Sequence, residues 1–384
     1  MKKLNRSIIY FILLSSMSAT VISCQKDIVN FKESYDGELT SNGAPLIQKV
    51  STAGDLTTGI SSGALTDMIV LQGENLAEVK SIKLNDVDVD LSTVYAVRSR
   101  ITLPIPRVVP TEINNKVTVV TTKGSAEFPF EVKIPDLVVE GLFNEFVAAG
   151  DTAILVGKYL DLYKLDTLEG VFSINNIPLK PIRSVADSVY FVIPTATAEG
   201  ATLALSSPLV AVPKQVRFRE KGLSMLDIKS LSAYVTDGKA NGDPQLLPGF
   251  DRFLRIQQSF AAWSWNGVFW SGFDLNDAAV LANPKDYYVK FEINTKSTAS
   301  ISQGNFILGG DRQETRWNPA ENGALNTYGK WKTMRVDLTD FYKDVSQSNG
   351  TYLNTGWNGF VFSYQPTVDV EDDFSICNFR IVKK

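Results

Sequence analysis

The sequence contains no histidine and only two cysteines, Cys24 and Cys377, in 384 residues. The missing imidazole excludes Ser-His-Asp and Cys-His nucleophile systems, His general bases and His-ligated metals together. Two cysteines cannot build a Cys-rich zinc site. An excess of basic charge is also lacking. Lys and Arg total 38 against 42 Asp and Glu, a net charge of -4, which argues against a nucleic-acid partner. Tryptophan is absent from the first 262 residues. What is present is ordinary globular composition, 44% apolar and 21% charged. The length predicts two to three domains. Carboxylate chemistry stays open, so composition weakens an enzymatic reading without removing it.

Residues 1–24 read as an export signal. Lys2, Lys3 and Arg6 form a positive start, and Ser7 to Thr20 is a soft apolar stretch too short for a stable span. The stretch ends in VISC at 21–24, which resembles a bacterial lipobox and makes Cys24 the expected lipidation site. An ordinary secretory signal with a chance cysteine is the alternative. With Cys24 lipidated, Cys377 has no partner and reads as a small core residue. Residues 25–44 are polar and aperiodic, the composition of a tether.

From Pro45 to Ser207, Val and Ile alternate with polar residues over short runs punctuated by Gly, Asn and Pro, a strand pattern. The pattern repeats. IVLQGENL (69–76), VKSIKLN (79–85), ITLPIP (101–106) and KVTVVTTKG (116–124) correspond to AILVGKYL (153–160), GVFSINN (170–176), VYFVIP (189–194) and ATLALSS (201–207). Gly73 matches Gly157, and Pro104 matches Pro194. The glycines are expected at a bulge or a positive-φ turn, and the prolines at strand ends.

All six tryptophans lie between residues 263 and 357. A Trp ring offers a flat, electron-rich face to the axial C–H bonds of a pyranose, and nearby Asn, Asp, Glu, Arg and Gln can serve its hydroxyls. Asn266, Arg316, Asn318, Glu321 and Asn358 are such neighbours. Trp263 and Trp265 in AAWSWNG share a face if extended, as one core wall or one platform. Trp270 follows Gly267 near a loop. Trp317, in the polar, turn-rich GGDRQETRWNPAENG, is the strongest platform candidate. Trp331 opens the strand KTMRVDL with the outward parity of Arg335 and Asp337, as platform or cap. Trp357, between turn signals, reads as structural. YYVKFEIN (287–294) puts Tyr287, Val289, Phe291 and Ile293 on one face and Lys290, Glu292 and Asn294 on the other. The terminal NFRIVKK suits a closing strand with a solvated basic tip. VDVEDDF (368–374) could hold calcium but reads better as a solvated acidic loop, so no metal site is expected. Glu314 and Glu321, with Asp311, bracket Trp317 and are the carboxylates a glycosidase would need.

Two resemblances sharpen these expectations. Strand, GENL (73–76), a strand ending in Asn and ITLP (101–104) resemble the IPT/TIG type of immunoglobulin-like domain; the second copy departs, with GKYL. KFEINT (290–295), RWNP (316–319) and GKWKTMRVDLTDF (329–341) resemble the glycan-binding domain of Bacteroides-type surface glycan-binding lipoproteins. The implied fold is all-β: two tandem immunoglobulin-like (IPT/TIG) sandwiches, then a carbohydrate-binding-module-like β-sandwich. The expected boundaries are 1–24, 25–44, 45–134, 135–212 and 213–384. The resemblance implies a non-catalytic protein on the outer membrane, beside a SusC/SusD-like importer. It would bind a β-glucan such as xyloglucan or mixed-linkage glucan, without cofactor. The site residues implied are Trp317, Trp265, Trp263, Trp270, Trp331, Arg316 and Asn318. The family pattern often has another aromatic where this chain has Ala320. The rivals are a surface glycoside hydrolase using a carboxylate pair, and an adhesin binding protein through its Ig-like domains.

Overall fold

Runs of alternating Val, Ile and Thr form the strands expected of them. The computed structural model describes residues 39–384, apart from 166–170, 196, 198, 208–209, 211, 297–300, 302–303, 310–313 and 319–324. The export signal, Cys24 and most of the tether therefore lie outside the described residues. The chain divides into two units, Met1–Asp136 and Leu137–Lys384.

In the first unit, one antiparallel sheet orders Leu46–Thr52, Met68–Glu74, Arg100–Pro104 and Tyr95–Val97. A second orders Val87–Asp88, Val79–Leu84, Lys116–Thr121 and Gly124–Pro129. Their apolar faces share one core, including Ile69, Leu71, Ile82, Leu84, Ile101, Leu103, Val117 and Val119, as in an immunoglobulin-like sandwich.

The second unit begins with the other copy. One sheet orders Val138–Leu142, Thr152–Lys158, Ser188–Val192 and Pro181–Ser184; the other orders Ile177–Leu179, Phe172–Ile174, Thr202–Leu205 and Lys214–Arg217. The last of these strands pairs with Thr202–Leu205, so this sandwich runs past residue 212.

The matched glycines explain the repeat, though not by a positive φ, which neither adopts. A Cβ on Gly73 would lie 1.9 Å from the Leu46 carbonyl oxygen, and one on Gly157 2.1 Å from that of Val138. The bulges sit in the partner strands, between Ile47 and Lys49 and between Val139 and Gly141. Each bulged strand presses its backbone onto a residue that must lack a side chain.

The remainder of the second unit is a larger sandwich. Its front sheet orders Asn266–Leu275, Gly356–Pro366, Gly304–Gly309 and Glu314–Trp317. Its back sheet orders Val235–Thr236, Phe253–Phe260, Val370–Lys383, Tyr287–Thr295 and Trp331–Asp337, with Leu223–Ser224 also paired to the terminal strand. Phenylalanine fills the space between them: Phe260, Phe269, Phe291, Phe306, Phe360, Phe362, Phe374 and Phe379 are all buried. Phe291 stacks on Phe379 with ring centroids 4.7 Å apart.

The outer face of the back sheet is not solvated. Seven consecutive residues, Val289 to Thr295, are buried on both faces, because the preceding sandwich covers the polar side. The Lys290 ammonium donates to Glu145 at 2.6 Å and Glu220 at 3.0 Å. Arg380 donates to Glu145 at 2.8 Å and to both oxygens of Glu292 at 3.0 Å. Backbone bonds add to the seam: Thr333 donates its N–H to the Phe143 carbonyl at 2.7 Å, and its hydroxyl accepts from the Glu145 N–H at 2.9 Å. The exposed basic tip is Lys383 and Lys384; Arg380, within the closing strand, is wholly buried.

Candidate functional site

The front sheet has two chemically different faces, and strand parity separates them. On Gly356–Pro366, Asn358, Phe360, Phe362 and Tyr364 point toward the core side and are buried. Trp357, Gly359, Val361, Ser363 and Gln365 take the opposite parity. Opposite them on Asn266–Leu275, Asp274 pairs with Trp357, Gly272 with Gly359 and Trp270 with Val361. On the far side, Ile307 pairs with both Ser363 and Arg316.

Two large rings stand on this outer face. Trp270 is 71% exposed and Trp357 58% exposed. Trp357 lies against the backbone of Gly272: a Cβ there would be 2.4 Å from its Cε2 and Cζ2 atoms. Because Gly272 carries no side chain, one face of the indole rests on the sheet and the other is left to solvent. Exposed rings of this size are costly, and several on one surface mark a binding site.

Trp263 and Trp265 extend the surface at one end of the sheet, in the link between Phe253–Phe260 and Asn266–Leu275. They are 63% and 47% exposed. This link is fastened from several sides. The Trp263 N–H donates to the Pro366 carbonyl at 2.8 Å, Ala262 N–H to Asp369 at 2.7 Å, and Asn266 Nδ2 to the Tyr364 carbonyl at 3.2 Å. The Arg316 guanidinium lies 6.0 Å from the Trp265 ring centroid, within cation–π range, and donates to Gln365. Trp357 and Gln365 are eight residues apart on one strand, which spaces the two ends by about 26 Å.

Two expected platform residues sit elsewhere. Trp317 pairs with Phe306, giving it the parity of the core. It stacks on Phe306 with centroids 5.7 Å apart, meets Phe291 edge-on at 6.0 Å, and is half-buried. Its polar surroundings in sequence concealed a short edge strand, in which Arg316 faces out and Trp317 faces in. Trp331 is 6% exposed, donates its indole N–H to the Gln245 carbonyl at 2.7 Å and meets Phe253 edge-on at 5.4 Å. Its outward parity does not expose it, because the segment carrying Gln245 closes over that part of the face. Asn318 is half-buried just past the Trp317 strand. Asn358, considered as a sugar partner, is buried and spends its amide on the Asn354 and Gly356 carbonyls at 2.8 and 2.9 Å. Trp357, read as structural from its neighbours in sequence, stands exposed on the outer face. The alternation of Phe360, Phe362 and Tyr364 in GWNGFVFSYQP places it on the face opposite the core.

The acidic stretch 368–374 is divided by strand alternation and local bonding. Asp369 accepts from Ala262, Asp372 lies beside the Tyr364 hydroxyl, and Asp373 pairs with Arg255 at 2.6 Å. Among the described residues no group of three acidic or cysteine side chains could hold a metal ion. Of the carboxylates weighed for hydrolysis, Asp311 and Glu321 lie outside the described residues.

No curated protein matches the chain. Solved structures with similar folds include a surface glycan-binding protein, PbSGBP-B, from Prevotella bryantii. It shares 15% identity, with 89% of this chain and 99% of that chain covered and a TM-score of 0.49. An SGBP-B from a complex xyloglucan utilization locus in Bacteroides uniformis shares 15%, covering 89% and 100%, with a TM-score of 0.45. A Bacteroides ovatus SGBP-B in complex with a mixed-linkage heptasaccharide shares 12%, covering 83% and 71%, with a TM-score of 0.26. A family model, described as the surface glycan-binding protein B xyloglucan binding domain, matches residues 227–383, which form most of the terminal sandwich.

Proposed function

We propose that the chain is a non-catalytic cell-surface protein that binds a β-glucan or hemicellulose, with xyloglucan first and mixed-linkage glucan second. The observation that carries this reading is the segregation of aromatic residues. Phenylalanine fills the core, while Trp270 and Trp357 stand on one sheet face and Trp263 and Trp265 at its end. A β-linked glucan chain presents apolar sugar faces along its length, and flat indoles stack on them at low entropic cost. Arg316, Gln365 and Asp274 share that outer face and supply donors and acceptors for hydroxyls. The family match over the same sandwich supports the ligand class.

The proposed site is Trp357, Trp270, Trp265, Trp263, Arg316 and Gln365. Trp317 supports it from within the sandwich, and Trp331 packs on the far side of the back sheet. The lipobox-like VISC motif supports attachment through Cys24, and the two immunoglobulin-like sandwiches suit spacers between membrane and glycan. Placement on the outer membrane beside a SusC/SusD-like importer is the matching cellular role.

Isothermal titration of residues 39–384 against xyloglucan, mixed-linkage glucan, xylan, galactomannan and starch tests the binding reading. Binding of one β-glucan without sugar release supports it. Sugar release would make the protein a hydrolase, and binding to none of the five would overturn the reading. In the full chain, Cys24→Ala should move the protein from the membrane to the soluble fraction.

A further inference from the structure

The Trp263–Trp265 link combines exposure with backbone strain. Trp263 has φ 61°, the left-handed region that a bulky residue rarely occupies. Such strain persists only where neighbours hold it in place. Its N–H bonds the Pro366 carbonyl at 2.8 Å, and its own carbonyl accepts from Gln365 Nε2 at 3.2 Å. The other end of the same amide, Gln365 Oε1, accepts from Arg316, whose guanidinium lies beside the Trp265 ring. One side chain on the outer face thus joins the strained Trp263 backbone to the cation that flanks Trp265. A neutral amide suits this place because it needs a donor on one side and an acceptor on the other.

We infer that Gln365 is a positioning residue that holds Trp263 and Trp265 as a distal arm of the binding face, so that a ligand is gripped at both ends. This rests on the glycan reading above. With Trp357 at one end and Gln365 at the other, separated by about 26 Å, only an extended chain engages both. A short oligosaccharide occupies the Trp270–Trp357 end alone. The arm therefore selects long polymer over short fragments.

The test compares residues 39–384 with Gln365→Leu, Gln365→Glu, Trp263→Ala and the Gln365→Leu/Trp263→Ala double variant. Each is titrated with polymeric xyloglucan and with an oligosaccharide of one repeat, and each is melted. Gln365→Leu keeps the volume but loses both hydrogen bonds; Gln365→Glu keeps the Arg316 partner and sets a carboxylate against the Trp263 carbonyl. The expected result is about tenfold weaker polymer binding in both Gln365 variants, with oligosaccharide affinity retained. The double variant should lose less than the sum of the two single losses, because Gln365 acts partly through Trp263. Equal loss for polymer and oligosaccharide, or additive losses in the double variant, would overturn the inference. So would polymer affinity that Gln365→Leu leaves unchanged. Failure of the unaltered protein to bind any glucan would instead overturn the glycan reading itself.

Discussion

Glu145 and Arg380 meet across the seam between the second immunoglobulin-like sandwich and the terminal one, with Oε2 and Nη2 2.8 Å apart. Both side chains are out of water, with 3% and 0% of their surfaces exposed. The other Glu145 oxygen takes Lys290 at 2.6 Å, so one carboxylate compensates two buried cations. Such a cluster is weak evidence for net stability but makes the seam intolerant of a missing member.

Glu145→Ala should therefore destabilise the second unit by about 3–5 kcal/mol, the cost of stranding buried charge. Glu145→Gln should cost less, since it keeps an acceptor for one cation. Thermal denaturation of the two variants checks the order; equal melting temperatures would show that the charge is not needed.

The region matching the family model, residues 227–383, lacks Glu145 and Glu220. A chain starting at residue 221 exposes a sheet face built to be covered and leaves Lys290 and Arg380 with Glu292 alone. It should melt well below a chain starting at residue 137 and bind a hydrophobic dye. Equal stability of the two would contradict the described seam.

Glu292 gives the seam a pH dependence. Burial pushes its carboxyl up to about 7, with Arg380 pulling it down and Glu145 pushing it up. The count of charges agrees: Lys290 and Arg380 are already balanced by Glu145 and Glu220, so a protonated Glu292 leaves the cluster neutral. The folded chain then keeps a proton that the unfolded chain has released above the ordinary glutamate value of 4.5. Between that value and about 7 the unfolded state binds fewer protons, so this group's contribution to stability falls as pH rises. Glu292→Gln should remove that slope. Melting temperatures of both proteins at about pH 5 and pH 7.5 should show a larger drop for the unaltered chain. Parallel curves would contradict the assignment.

Gly272 should be as important as the ring above it. A Cβ there lies 2.4 Å from the Trp357 indole, so Gly272→Ala must lift or tilt the ring. The expected outcome is glucan binding weakened by about tenfold, with little change in melting temperature because the face is solvent-exposed. A large loss of stability with binding intact would mean that Trp357 packs for structure.

Much of the fold was legible. The repeat, the alternating runs and the two glycines described two sandwiches, because backbone approach at Gly73 and Gly157 is a local requirement that sequence records. The proposed binding face was half legible. Trp263, Trp265, Trp270 and Arg316 lie where aromatic and polar residues cluster in sequence. Trp317 and Trp357 exchanged roles because polar, turn-rich surroundings were weighed above strand parity. Arg316 turns outward and Trp317 inward on one short strand, while Phe360 and Phe362 consign Trp357 to the other face. The burial of Lys290, Glu292 and Arg380 was not legible, because nothing within a strand announces that another domain will cover it.

The central claim is that the outer face around Trp357 binds the glycan while Trp317 only supports it. The most direct measurement is titration of polymeric xyloglucan into the unaltered protein, Trp357→Ala and a conservative Trp317→Phe. The account predicts about thirtyfold weaker binding for Trp357→Ala, the scale of a central aromatic anchor, and near-normal affinity for Trp317→Phe. Loss of binding in Trp317→Phe, with Trp357→Ala unaffected, would contradict it and move the site to the other edge of the sandwich.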